Sequence, residues 1–228
     1  MEIRYLGHSA FELSADGVTV LVDPFLTGNP KAAVGADAVG PNVVLLTHGH
    51  ADHLGDTADI ARRTGAPVVA ITELAGELAG TLGEGHDVRD PNLGGTVRFD
   101  WGSVKLVPAW HTALSPNGTP HTPAGLLITL GERTVYHLGD TALFGDLGLI
   151  ARRAGGIDVA LMCIGGHYTM DRLDAVEAAS LVRARQVIPC HYDTFPPIET
   201  DAQAFKADVE RETDSEVVVL APGATHAP

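Results

Sequence analysis

The stretch Thr47-His48-Gly49-His50-Ala51-Asp52-His53 sets three histidines and one aspartate into the six positions 48–53. The apolar run Val43-Val44-Leu45-Leu46 precedes it, and a helix-like stretch from Leu54 to Arg63 follows. A strand ending in a turn before a helix delivers these side chains together at one edge of a sheet. Neutral imidazole and carboxylate are ligands for zinc, manganese and iron, and this density of them suits two ions. The alternative, a polar turn with incidental histidines, needs three copies of an uncommon residue to fall together by chance.

The chain has 228 residues, 45% of them hydrophobic and 19% charged, which predicts a globular protein with one core and one domain over 1–228. Its formal net charge of −14 argues against general binding of DNA, RNA or anionic membrane, which need a basic footprint. Bound cations could still attract an anionic substrate. Cys163 and Cys190 lie in separate apolar runs with no C-x-x-C pair, so they read as buried thiols in a reducing compartment. The residues after Met1 form no apolar leader and no run is long enough to cross a bilayer, so a cytoplasmic location is expected.

Outward from the ligand turn, Ile3–Leu6 predicts a first strand, broken by Gly7-His8-Ser9. Ala10–Leu13 and Val18–Val22 flank Ala15-Asp16-Gly17 as a hairpin ending in Asp23-Pro24. The stretch 27–41, rich in Gly, Ala, Pro and Asn, predicts a loop near the site and a place for specificity. Asp52–Thr64 predicts one helix, Val68–Ile71 a strand, and the residues from Thr72 a helix with Leu74, Leu78 and Leu82 on one face. Val97–Phe99 and Val104–Val107 predict a hairpin leading to His111, and Ser115–Pro123 a loop.

The second half repeats the plan of the first. A hairpin of Leu126–Leu130 and Thr134–Leu138 ends in Gly139-Asp140, and Asp146–Arg153 is a short helix. The strand Asp158–Ile164 ends in Gly165-Gly166-His167, a helix spans Asp174–Arg185, and Val187–Cys190 runs into His191. A helix over Asp201–Glu212 and a strand over Val217–Leu220 complete the chain. Two copies of strands-then-helix predict an α/β (α+β) fold: two mixed sheets from an internal duplication, face to face, with helices outside and sheet ends meeting at one cleft.

The pattern His48-x-His50-x-Asp52-His53 resembles the metallo-β-lactamase superfamily. That resemblance implies a four-layer αββα sandwich. It also implies three further ligands at strand ends, and His111, Asp140 and His191 stand in the right order to supply them. On this reading His48, His50 and His111 hold one metal, Asp52, His53 and His191 the other, and Asp140 bridges both. Such a pair, zinc or manganese, shares a hydroxide that serves as nucleophile at neutral pH. Asp52 would orient it or return a proton to the leaving group. Further segments, Tyr5–Phe11, Leu21–Phe25, Thr47–Asp56, Gly165–Asp171 and His191–Phe195, resemble the metal-dependent hydrolases of the ascorbate-6-phosphate lactonase-like group.

His8 and His167 both follow strands and are candidates for proton donors or substrate contacts. Asp23 is expected to brace a ligand loop rather than bind metal. Cys190, next to His191 on a strand, should face the core. His86, His137 and His226 are expected to be structural or superficial, and His121 to lie at the surface. The implied activity is hydrolysis of a small ester or lactone-type substrate, with a phosphodiesterase as the alternative and a non-catalytic metal-binding protein as a third reading. The expected partner is a small molecule, with no nucleic acid or membrane; a homo-oligomer stays open.

Overall fold

The computed structural model describes residues 1–228. In the first half β1 (Glu2–Gly7), β2 (Ala10–Ala15) and β3 (Val18–Val22) form an antiparallel meander. Its second turn has Asp16 and Gly17 at φ of 52° and 80°, the doubly left-handed Asp-Gly turn that matches strand twist. Then follow β4 (Val43–Leu45), α1 (Ala51–Leu54), α2 (Thr57–Thr64), β5 (Val68–Val69), α3 (Thr72–Leu82) and β6 (Val88–Arg89). The second half opens with β7 (Thr96–Phe99) and β8 (Gly102–Pro108), followed by a small hairpin of β9 (Ala113–Leu114) and β10 (Pro120–His121). It continues through β11 (Ala124–Leu130), β12 (Arg133–His137), α4 (Asp146–Ala154), β13 (Val159–Cys163), α5 (Arg172–Val182), β14 (Gln186–Cys190), α6 (Ala202–Glu212) and β15 (Glu216–Val217). The last strand is β16 (Thr225–His226).

Two seven-stranded sheets result, ordered β16-β1-β2-β3-β4-β5-β6 and β7-β8-β11-β12-β13-β14-β15. Read along these orders, each sheet has three antiparallel pairings followed by three parallel ones. The duplication is therefore complete in pairing pattern, with β16 returning from the far end of the chain to play the part that β7 plays in the second sheet. Side-chain alternation assigns the layers. On β13, Val159 and Leu161 join Leu13, Val22 and Leu45 between the sheets, whereas Ala160 and Met162 pack with residues of α4, α5 and α6. Ile60 of α2 and Leu74 and Leu78 of α3 cover the first sheet. The architecture is the αββα sandwich. β4 and β13, covered on both faces, are buried at every position, which is why they read as unbroken apolar runs.

Several boundaries differ from the sequence expectation. The single helix over Asp52–Thr64 is two, broken at Gly55, where φ is 41° and a Cβ would stand 2.4 Å from the Pro24 carbonyl oxygen. The fifth helix starts at Arg172 because Asp171 caps it, accepting hydrogen bonds from the Leu173 and Asp174 amides, and it ends before Arg183, which is left-handed. The strands expected at Val68–Ile71 and Val217–Leu220 shorten to two residues each. Within 115–123, expected as loop, Pro120–His121 pairs with Ala113–Leu114.

Candidate metal centre

The candidate residues stand where strands run out, and the chain turns abruptly there. His8, Asp23, His167 and His191 hold φ of 59°, 45°, 56° and 54°, a region that costs an ordinary residue about 1–2 kcal/mol. His8 follows β1, Asp23 follows β3 and His191 follows β14. Gly139 repeats the device before Asp140: its φ is 67°, and a Cβ would lie 2.7 Å from the Ala124 carbonyl oxygen. The two halves are tied at the site by the His191 amide, which donates to the His8 carbonyl at 2.8 Å.

Asp140 is the centre of the arrangement. Its Oδ2 lies 3.0 Å from His191 Nε2, 3.3 Å from His53 Nε2, 3.7 Å from His111 Nε2 and 3.9 Å from His48 Nε2. To one side His48, His50 and His111 bring ligand atoms within 4.8 Å of one another, and to the other His8, Asp52, His53 and His191 do the same. The residues fit bound divalent metal on a separate ground. Asp140 Oδ1, His53 Nε2 and both ring nitrogens of His191 are buried and make no hydrogen bond. Leaving such atoms unpaired costs about 1–3 kcal/mol each, and imidazole and carboxylate are the donors that zinc or manganese takes.

The bracing around the ligands is dense. Asp23, fully buried, accepts from the Thr47 amide at 2.8 Å and the Thr47 hydroxyl at 2.6 Å, and its Oδ2 is 2.8 Å from His53 Nδ1. It thus orients the candidate ligand His53 and holds the turn that carries His48, His50 and Asp52. His8 is fully buried, with Nδ1 2.8 Å from Thr194 Oγ1 and Nε2 3.1 Å from Asp52 Oδ2.

The field is set by carboxylates among imidazoles. Burial pushes the His53 ring down, but the Asp140 and Asp23 carboxylates outweigh it and hold the imidazole well above its ordinary value. That negative potential is also what holds a divalent cation. Burial drives His48 well down and His8 to about 4. Burial raises the Asp140 carboxyl, yet the His191 and His53 rings keep it well below the usual range. Asp52 is likewise lowered, because the His8 hydrogen bond and the His53 charge overcome burial.

Of the residues singled out in the sequence, His48, His50, Asp52, His53, His111, Asp140, His191 and His8 come together here. His167 does not: it is exposed, packs against Tyr168 with ring centroids 4.4 Å apart, and joins none of the ligand groups. His121, expected at the surface, instead accepts the Gly49 amide at Nε2, 2.8 Å away, and steadies the ligand turn. Gly49 makes room for it, since a Cβ there would lie 2.9 Å from His121 Cε1 and 2.8 Å from Leu74 Cδ1. His137 is buried between the Ser9 carbonyl and the Gly139 amide, a structural role. His86 bonds the Ala66 carbonyl, and His226 the side chain of Gln186. Cys163 and Cys190 are free and buried. No residue of 27–41 lines the cavity over the site; Phe25, just before that loop, does, with Tyr168 and Phe195. Those aromatics and Thr194 fall within the segments that carry the family resemblance, but no periodicity marked them individually as lining or bracing the site.

A sandwich of this topology with a His/Asp centre at its sheet ends defines a class, the metallo-β-lactamase-fold proteins. The beta-lactamase superfamily domain matches residues 18–192, and the chain belongs to that superfamily. Within it, the chain is 45% identical over 226 residues to a UPF0173 metal-dependent hydrolase of Thermus thermophilus, covering 98% of this chain and 97% of the relative. It is 46% identical over 231 residues to one of Methanopyrus kandleri, covering 99% of each. Among solved structures, Igni18, a metallo hydrolase of the archaeon Ignicoccus hospitalis, superposes with a TM-score of 0.89 at 37% identity, covering 99% of this chain and 97% of that one. The particular family is thus that of the metal-dependent hydrolases. No helix is long and apolar enough to cross a membrane.

Proposed function

We propose that this chain hydrolyses a small ester or lactone-type substrate at a centre of two divalent cations, zinc or manganese. His48, His50 and His111 would hold one, Asp52, His53 and His191 the other, and Asp140 both. The observation that carries the proposal is the Asp140 Oδ2 atom lying within 3.9 Å of four imidazole nitrogens from both halves of the chain. Cations so held supply Lewis-acid activation of water and of the oxygen under attack. The chain's own residues do the rest. His8 fixes the Asp52 carboxylate through Oδ2, so that Asp52 can take a proton and hand it to the leaving group. Asp23, through His53 and Thr47, holds the ligand turn in place. His167 would act only as a contact for a substrate reaching beyond Tyr168. The partner is a small molecule, in keeping with a cavity of about 530 Å³, and the buried free thiols support a cytoplasmic setting.

The test is hydrolysis by manganese- and zinc-loaded protein of a panel of lactones beside a chromogenic phosphodiester. Lactone opening is expected, with His48→Ala and Asp140→Ala each losing bound metal and turnover. Phosphodiester cleavage alone would replace this reading with the phosphodiesterase one. Full activity in metal-depleted variants would refute the mechanism.

A further inference from the structure

The cavity over the centre is walled by nine residues, of which five are the proposed ligands His50, Asp52, His111, Asp140 and His191. The remaining wall is Phe25, Ala51, Tyr168 and Phe195. None of the 15 lysine and arginine side chains lines it. Phe25 and Phe195 both pack edge-on against the His8 ring, with centroids 5.8 and 5.7 Å away. Both rings therefore flank His8, whose Nε2 lies 3.1 Å from Asp52 Oδ2. Tyr168, 55% exposed, is the one lining residue that carries a hydroxyl.

This wall has consequences for what can be bound. A sugar ring entering it surrenders water at several hydroxyls and finds a single hydroxyl and the ligand set in exchange, so most are left unpaired. A phosphate on the far side of a substrate finds no guanidinium or ammonium to receive it. An apolar ring displaces water from the two phenyl rings that line the cavity and leaves nothing unpaired. We infer that the site selects an uncharged substrate with an apolar, ring-sized group beside the scissile bond, such as an aryl ester or a lactone fused to an aromatic ring. It selects against sugar lactones and their phosphates. The likeness to ascorbate-6-phosphate lactonase-like proteins thus stops at the specificity wall. The bond cleaved rests on the proposed hydrolytic function; the binding preference does not.

The experiment separates the two. Zinc-loaded protein is titrated by NMR with phenylacetamide, acetamide and glucose. Phenylacetamide should bind at least about 10-fold tighter than acetamide, with glucose weaker than both. Phe195→Ala should bring the phenylacetamide-to-acetamide ratio towards one, and Phe25→Ala provides the same test should the first variant fail to fold. Equal affinities for the two amides, tighter binding of glucose, or an unchanged ratio in folded Phe195→Ala protein would overturn the inference. In turnover, kcat/KM for dihydrocoumarin should exceed that for gluconolactone by about 10-fold or more, and the reverse order would also overturn it. If neither lactone is opened while the amide preference and its loss in Phe195→Ala hold, the selectivity stands and the ester and lactone reading falls.

Discussion

Asp23 accepts three hydrogen bonds from groups that either bind or carry the proposed ligands. An amide in its place presents a donor where Thr47 Oγ1 or His53 Nδ1 already donates. Asp23→Asn should therefore leave the far-ultraviolet spectrum intact and weaken zinc binding about 10- to 100-fold in chelator competition; unchanged affinity would show that the brace is dispensable. His8 makes a second residue-scale prediction. A carboxylate only accepts, so Nε2 carries the proton towards Asp52 Oδ2, 3.1 Å away. The Thr194 hydroxyl is 2.8 Å from Nδ1 and 3.4 Å from the Tyr192 carbonyl, so its proton points to Nδ1. Nitrogen-15 NMR of the zinc-loaded protein should find His8 as the Nε2–H tautomer, and Thr194→Val should disturb it where Thr194→Ser does not. The Nδ1–H form would make His8 Nε2 a lone-pair donor to metal instead. The residues that cluster at the centre were legible in the sequence because motif spacing and strand ends mark them. The roles of Thr194 and His121 were not, since each rests on a contact with a residue remote in sequence.

At the scale of elements, the break between α1 and α2 positions the specificity wall. Gly55 presses on Pro24 and Phe25, where a Cβ would meet the Pro24 oxygen at 2.4 Å and Phe25 Cα at 2.6 Å. Asp56 Oδ2 then accepts the Leu26 and Thr27 amides at 3.0 and 2.8 Å. The helix ends there so that the chain around Phe25 can be pinned. Gly55→Ala should destabilise the protein by on the order of 3 kcal/mol in urea denaturation and lower the affinity for an aromatic ligand in whatever folds. A change within about 0.5 kcal/mol would mean that the loop yields freely. The helical pattern over Asp52–Thr64 concealed this break, because periodicity registers which residues are buried and not a close approach of two backbones. The hairpins and longer strands were readable from alternation and turn residues. The two-residue strands β6 and β16 were not, being specified by the edge they join rather than by their own sequence.

The whole molecule sets Cys163 and Cys190 opposite each other on the adjacent parallel strands β13 and β14, both buried. Duplication was visible in the sequence as a repeated order of elements, but burial of these strands on both faces depends on how the two halves pack. Burial pushes the Cys163 thiol up to about 12, the Asp140 carboxylate adding to it, and burial likewise raises Cys190 well above its ordinary value and Tyr192 to about 12. The sign follows from linkage. An unfolded thiol loses its proton near about 8.5 while the folded one keeps it, so the stabilisation is complete below that pH and is lost as pH rises towards the folded value. The urea midpoint of the wild-type protein should hold from neutrality to about pH 8.5 and then fall progressively to about pH 11. Cys163→Ala should start lower, because it leaves a cavity, and fall less steeply, because one of the groups that titrate on unfolding is gone. Over the flat part of the curve a thiol reagent should modify neither cysteine in the native protein and both after unfolding. Fast labelling at neutral pH, or alkaline slopes that run parallel in the two proteins, would mean that the paired strands open to solvent and that the sheet interior is not the closed layer on which the metal centre is mounted.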